Sequence, residues 1–146
     1  MKDFFKDIFE YHFRINQRLI EQLIEIENIL PDRTLSLISH SINAQQIWNA
    51  RITNKDKLGV HQKHTLQECK RLDQDNYSET LHILDNYELD KKLTYTTSKG
   101  IVFNSSIQQI LYHIANHFSH HRGQIVSDIR QSGIDPIITD YIFYKR

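Results

Sequence analysis

Residues 113–125 read HIANHFSHHRGQI, in the middle of an apolar repeat that runs unbroken from about Ser106 to Ser132. Ile110, Ile114, Phe118, Ile125 and Ile129 recur in steps of four and seven, the core-facing stripe of an amphipathic helix. Positions 117 and 121 fall in that stripe, and both are histidine. One turn apart on a helix, they differ by only about 40° around the axis. Two imidazoles therefore point inward where apolar side chains belong, and their ring nitrogens can converge on one ion. As plain core residues they would need several hydrogen-bond partners when neutral and would repel one another when protonated.

Outward from this segment the chain reads as helix after helix. Ser105 is the expected N-cap of the last helix and Gly133 its C′ glycine. Asp3 to Glu27 carries Phe5, Ile8, Phe9, Ile15, Leu19, Ile20 and Leu23 at helical spacing with no Gly or Pro. Leu30-Pro31 breaks it, and Asp32 is read as the N-cap of a second helix, Arg33 to Thr53. Asn54 to Gln62 is polar and contains Gly59, a loop. A third helix spans His64 to Tyr87, with Thr65 and Glu68 spaced for a capping box. Leu93 to Ser105 (LTYTTSKGIVFNS) is β-branched and aromatic around Ser98-Lys99-Gly100, which predicts a hairpin. The tail IDPIITDYIFYKR is expected to dock, since Ile137, Ile138, Ile142 and Phe143 would otherwise face water. The expected fold is all-α: one domain over 1–146, a four-helix bundle whose long crossover connection carries the hairpin.

Composition narrows the function. Lys plus Arg equal Asp plus Glu at 18 each, so the net charge is zero and direct nucleic-acid binding, which needs a basic face, is disfavoured. No apolar run approaches the roughly 20 residues of a membrane span. MKDFFKDIFEYHF interleaves acids with its apolar residues and does not read as a secretory signal. The single cysteine, Cys69, excludes an internal disulfide and suits a cytoplasmic location. Nine histidines are the unusual total.

A catalytic zinc-type site takes three protein ligands and keeps one position open. His40, central in the strongly apolar second helix and close in angle to Leu37, Ala44 and Ile47, is the best third partner for His117 and His121. His113, one turn before His117, is read as a flanking residue, and His120 as exposed or supporting. His12 either supports the site or simply packs, and His61, His64 and His82 are assigned to the surface. Arg122 is expected to snorkel or to bind an anionic substrate near the metal. Asn116 and Asn16 are candidates to orient histidines or carbonyls. Gly123 marks either a close approach or a tolerated surface glycine. Other chemistries are poorly supported. There is no phosphate-binding glycine loop and no Gly-x-Ser-x-Gly, nothing pairs Cys69 with a base, and Phe118 and Ile110 stand where a di-iron bundle would place acids.

NHFSHHRGQI (116–125) resembles the HHRGQ-type motif of the DinB/YfiT-like superfamily, named for a DNA-damage-inducible bacterial protein. YHFRINQRLIEQL (11–23), ISHSINAQQIWNARI (38–52), TYTTSKGIVFNSSIQQILYHIANH (94–117) and the closing DYIFYKR extend the similarity over nearly the whole chain. The resemblance implies a four-helix bundle with one long crossover, often dimeric. It also implies one divalent ion, nickel or zinc, held by His40, His117 and His121. Characterised relatives include thiol-dependent S-transferases and an isomerase, in which the metal binds a low-molecular-weight thiol. The expected activity is thiol transfer to small electrophiles. A metal-dependent hydrolase and a non-catalytic metal-binding stress-response or interaction protein are the alternatives.

Overall fold

The computed structural model describes residues 1–146. It is an all-α bundle carrying a short β-hairpin: α1 (Lys2–Glu25), a 3-10 turn (Glu27–Ile29), α2 (Asp32–Thr53), α3 (Leu66–Asn86), β1 (Lys92–Thr96), β2 (Val102–Ser106), α4 (Ile107–Gln131) and a final turn, α5 (Tyr141–Tyr144). The hairpin strands pair antiparallel with Tyr95 opposite Phe103.

Local chemistry sets the boundaries. Thr65 and Glu68 form the expected capping box at the start of α3. The α4 cap is Ser106, not Ser105: Gln109 returns its side chain to the Ser106 N–H, so β2 runs straight into the helix. Asp32 is the first helical residue and makes no side-chain cap; its carboxylate complements the helix dipole instead. Gly133, at φ +82°, ends α4 with the Ile134 N–H bonded to the Ile129 carbonyl, a Schellman closure.

Around the bundle the order is α1, α3, α2, α4, so α1 and α2 sit on one diagonal, α3 and α4 on the other, and α2 and α3 are neighbours. Side-chain pairs fix the directions. Ser39 meets Cys69 and Asn49 meets Thr80, so α2 and α3 run parallel. Parallel neighbours need a connection that travels back along the bundle. Residues 54–65 supply it, a path of about 26 Å that twelve residues can span. The crossover is therefore in this segment, and the hairpin expected to carry it joins α3 to α4 at one end of the bundle. The returning segment is held on α2 by polar side chains. Gln46 bonds the Asp56 carbonyl and the Leu58 N–H, the fully buried Asn43 donates to the Gln62 carbonyl at 2.7 Å, and Ser39 accepts from the His64 N–H. His64, read as a surface residue, is buried with Nε2 2.7 Å from Asn43 Oδ1.

The core forms two apolar clusters. One gathers Phe5, Phe9, Ile83, Leu84, Leu111, Ile114 and Phe118, and the other Leu19, Ile20, Leu23, Ile42, Cys69, Ile125 and Ile129. Between them lies a buried polar layer to which all four helices contribute: His12 and Asn16, Gln45 and Asn49, Asp73 and Thr80, and Arg122. The tail docks only in part. Ile137 packs on the second cluster, and Tyr141 and Tyr144 pack on Tyr11. Ile138, Ile142 and Phe143 stay exposed, because backbone and tyrosine contacts hold the tail in place: Gln22 binds it at Asp135 and Ile137, and Tyr11 donates to the Thr139 carbonyl.

Asn43→Ala removes the bonds to the Val60 and Gln62 carbonyls and to the His64 ring and strands those partners. We expect a loss of about 2–3 kcal/mol in urea unfolding and new tryptic cuts at Lys55, Lys57 or Lys63. An unchanged midpoint and digestion pattern would show that other contacts hold the segment.

Candidate metal centre

His40 projects from α2, and His117 and His121 project from successive turns of the facing α4. Their Nε2 atoms point at one another: His117 lies 3.2 Å from His40 and 3.1 Å from His121. One ligand atom from each residue falls within 4.8 Å of the other two. Two imidazoles bound tetrahedrally at about 2.0–2.1 Å from an ion have their nitrogens about 3.4 Å apart, so this spacing suits a common ion.

The outer nitrogens set which inner ones carry lone pairs. His40 Nδ1 is 3.2 Å from the Val60 carbonyl oxygen, and His121 Nδ1 is 2.6 Å from Gln124 Oε1. Both oxygens only accept, so each Nδ1 holds the proton and each Nε2 turns a lone pair inward. His117 then has two acceptors before it and at most one proton to offer, a mismatch that a cation relieves. Burial pushes His117 down to about 4, with repulsion from His121 and His40 adding to it, and burial also lowers His121. Both are neutral at pH 7, as metal ligands must be. All three rings are half-buried, so the cluster stays accessible from solvent.

The remaining candidates divide. His113 and His120 are exposed and adjoin the cluster, with ring centres 5.6 Å from His117 and 4.9 Å from His121. Arg122 does not face the cluster or reach the surface. It is buried and turned towards α1, where it donates to Tyr11 Oη, His12 Nδ1 and Asn16 Oδ1. His12 is therefore its acceptor and supports no ligand. Asn116 is exposed on the α1 side of α4, beside Phe4 and Tyr112, away from the histidines. A Cβ on Gly123 would meet nothing within 4 Å, which leaves the tolerated surface glycine. Three contributors were not foreseen. Gln124 could have been found three residues past His121. Val60 acts through its carbonyl and has no side-chain signature. His61, assigned to the surface, is exposed but stacks on His40 at 5.7 Å.

The Arg122 network makes a pH prediction. Burial, reinforced by the Arg122 charge, holds His12 well below its ordinary 6.5. The unfolded chain takes up this proton near 6.5 and the folded protein does not. The contribution to stability is complete above that pH and is lost as the pH falls towards the depressed folded value. His12→Gln keeps an acceptor for Arg122 without the titration. We expect its unfolding free energy to fall less steeply than the parent's between neutral pH and about pH 5. Parallel slopes would contradict this.

Comparison with known proteins agrees with the geometry. "Protein DinB" of Bacillus subtilis (strain 168) is 24% identical to the chain over 166 aligned positions, which cover 99% of this chain and 95% of that protein. The family model for the DinB family matches residues 9–146, and with the bundle, the hairpin and the facing histidines already described, the chain belongs to the DinB family.

Proposed function

We propose that the protein binds one divalent metal ion, nickel or zinc, through His40, His117 and His121, and that it transfers a low-molecular-weight thiol to a small electrophile. One observation carries the reading: three imidazole nitrogens converge, with the outer nitrogens of two of them tied to acceptor oxygens. An ion held by His40, His117 and His121 would leave a position for substrate and would supply the positive charge that lowers a thiol's pKa towards neutrality. The chain's own part is to fix the ring orientations and leave the approach between α2 and α4 open. The charges acting on His117 and His121 come from other histidines, not carboxylates. That favours a reaction needing no general base over hydrolysis. The thiolate sulfur bonds to the electrophilic carbon, the leaving group departs with the electron pair, and the thiol proton passes to solvent. We place the protein in the cytoplasm, with Cys69 buried and uninvolved. We further propose a homodimer through the exposed Phe4, Tyr112 and Phe143.

Tag-free protein is expected to hold about one ion per chain by mass spectrometry, and His40→Ala, His117→Ala and His121→Ala to hold none. Gln124→Ala should weaken metal affinity roughly tenfold by freeing the His121 ring. Metal-loaded protein should consume thiol in the presence of an electrophile, and chelated protein should not. Folded protein that takes up neither nickel nor zinc would overturn the metal site. Bound metal with no thiol consumed in any pairing would leave the non-catalytic alternative, in which the ion staples α2 to α4 and chelation lowers Tm.

A further inference from the structure

We propose that the cleft between the C-terminal end of α2 and strand β1 binds the carboxylate or phosphate group of a small anionic ligand, with Arg51 as its principal contact. The cleft encloses about 320 Å³. Arg51, Lys57, Asn54, Thr94 and Thr96 line it, and no acidic side chain does.

Arg51 is held in an unusual way. Its guanidinium carbon lies 4.4 Å from the centre of the Trp48 ring and 5.3 Å from that of Tyr95, and those two rings meet edge to face. It forms no ion pair. Lys55, on the same wall, spends its charge on Glu79 at 2.8 Å, so Arg51 and Lys57 are the unmatched cations. A guanidinium packed against aromatic rings keeps its edge donors free, and that planar fork fits the two oxygens of a carboxylate or phosphate. Asn54, Thr94 and Thr96 add uncharged polar lining. A cation in the last turn of α2 also complements the helix dipole. That role needs only the charge, not two aromatic rings beside an acid-free cleft.

The position bears on the reaction. Arg51 lies three turns beyond His40 on the same face of α2, about 16 Å along the axis. Trp48 and His113 fill the interval, with ring centres 5.7 Å apart, and His113 adjoins His117. An anion at Arg51 thus sits on the face that carries the histidine cluster. The assignment rests on the chain alone and not on the metal reading, so metal-free protein tests it.

Trp48 is the chain's sole tryptophan and reports directly on Arg51. Its emission is followed while inorganic phosphate and, separately, succinate are added, against sodium chloride at matched ionic strength. We expect a saturable change with at least one oxyanion and only linear drift with chloride; the two arms show whether phosphate or carboxylate is preferred. Arg51→Gln should abolish the change, and Arg51→Lys, which keeps the charge without the fork, should weaken it severalfold. Lys57→Gln leaves the Arg51–Trp48 contact in place and so separates lost binding from a lost reporter, or from misfolding of the Arg51 variant. Its Kd should rise about two- to fivefold. A chloride-like response to both oxyanions, a saturable response that survives Arg51→Gln, or an unchanged Kd in Lys57→Gln would overturn the site.

Discussion

A buried guanidinium governs the middle of this bundle. Arg122 cannot leave water without replacement partners for its donors, and α1 supplies them in register: Tyr11, His12 and Asn16. Asn16 passes the demand on, since its amide group donates to Asp73 on α3 while its carbonyl accepts from Arg122. Burial raises Asp73 to about 6, so at neutral pH an anion balances the cation across one amide. His12 completes the balance by staying neutral. Only Nε of Arg122 is left without a partner. Such a layer costs more to bury than apolar residues of the same volume, but it fits in few arrangements. A slip of α4 by one turn would strand a charge between two apolar clusters. Arg122 directly follows His121, so the constraint that fixes α4 also fixes where its histidines emerge.

The other half of the cluster depends on α2, which departs from the usual amphipathic pattern. Its buried face carries Ser39, Asn43, Gln45 and Asn49 as well as Ile38, Ile42 and Ile47. Gln45 and Asn49 satisfy the side chain of Thr80 and the backbone of Asn76 on α3, and Asn43 and Ser39 satisfy the returning chain at 62–64. One helix thus serves as core element, polar spacer and backing for a loop. His40 lies where the last two roles meet.

Most of the architecture was legible in the sequence because periodicity and caps are local. Thr65 and Glu68 mark the start of α3, Gly133 marks the end of α4, and the inward pair His117 and His121 follows from counting along one helix. Pairing between helices is not local, and the errors lie there. Arg122 looks like a surface anchor beside a motif, and only the fold brings Tyr11, His12 and Asn16 against it from more than a hundred residues away. His64 looks polar and exposed until Asn43 covers it. The longer α3–α4 connection is the one the sequence offers for the crossover, because nothing in the sequence alone says that α2 and α3 run parallel. Hydrophobicity alone predicts burial of tail residues such as Ile142, but hydrogen bonds at Thr139, Asp135 and Ile137 hold the tail without them.

That His40 is oriented by the main chain of Val60, and not by a side chain, has an evolutionary consequence. A carbonyl is present whatever residue occupies position 60, so that position can change freely without releasing the ring. The loop cannot drift freely in length. Inserting or deleting one residue between Gly59 and His64 would shift the register of carbonyls along α2 and present His40 with an N–H or with empty space. Relatives that share this geometry should therefore vary widely at position 60 while holding the length of the loop nearly constant, the reverse of ordinary surface loops.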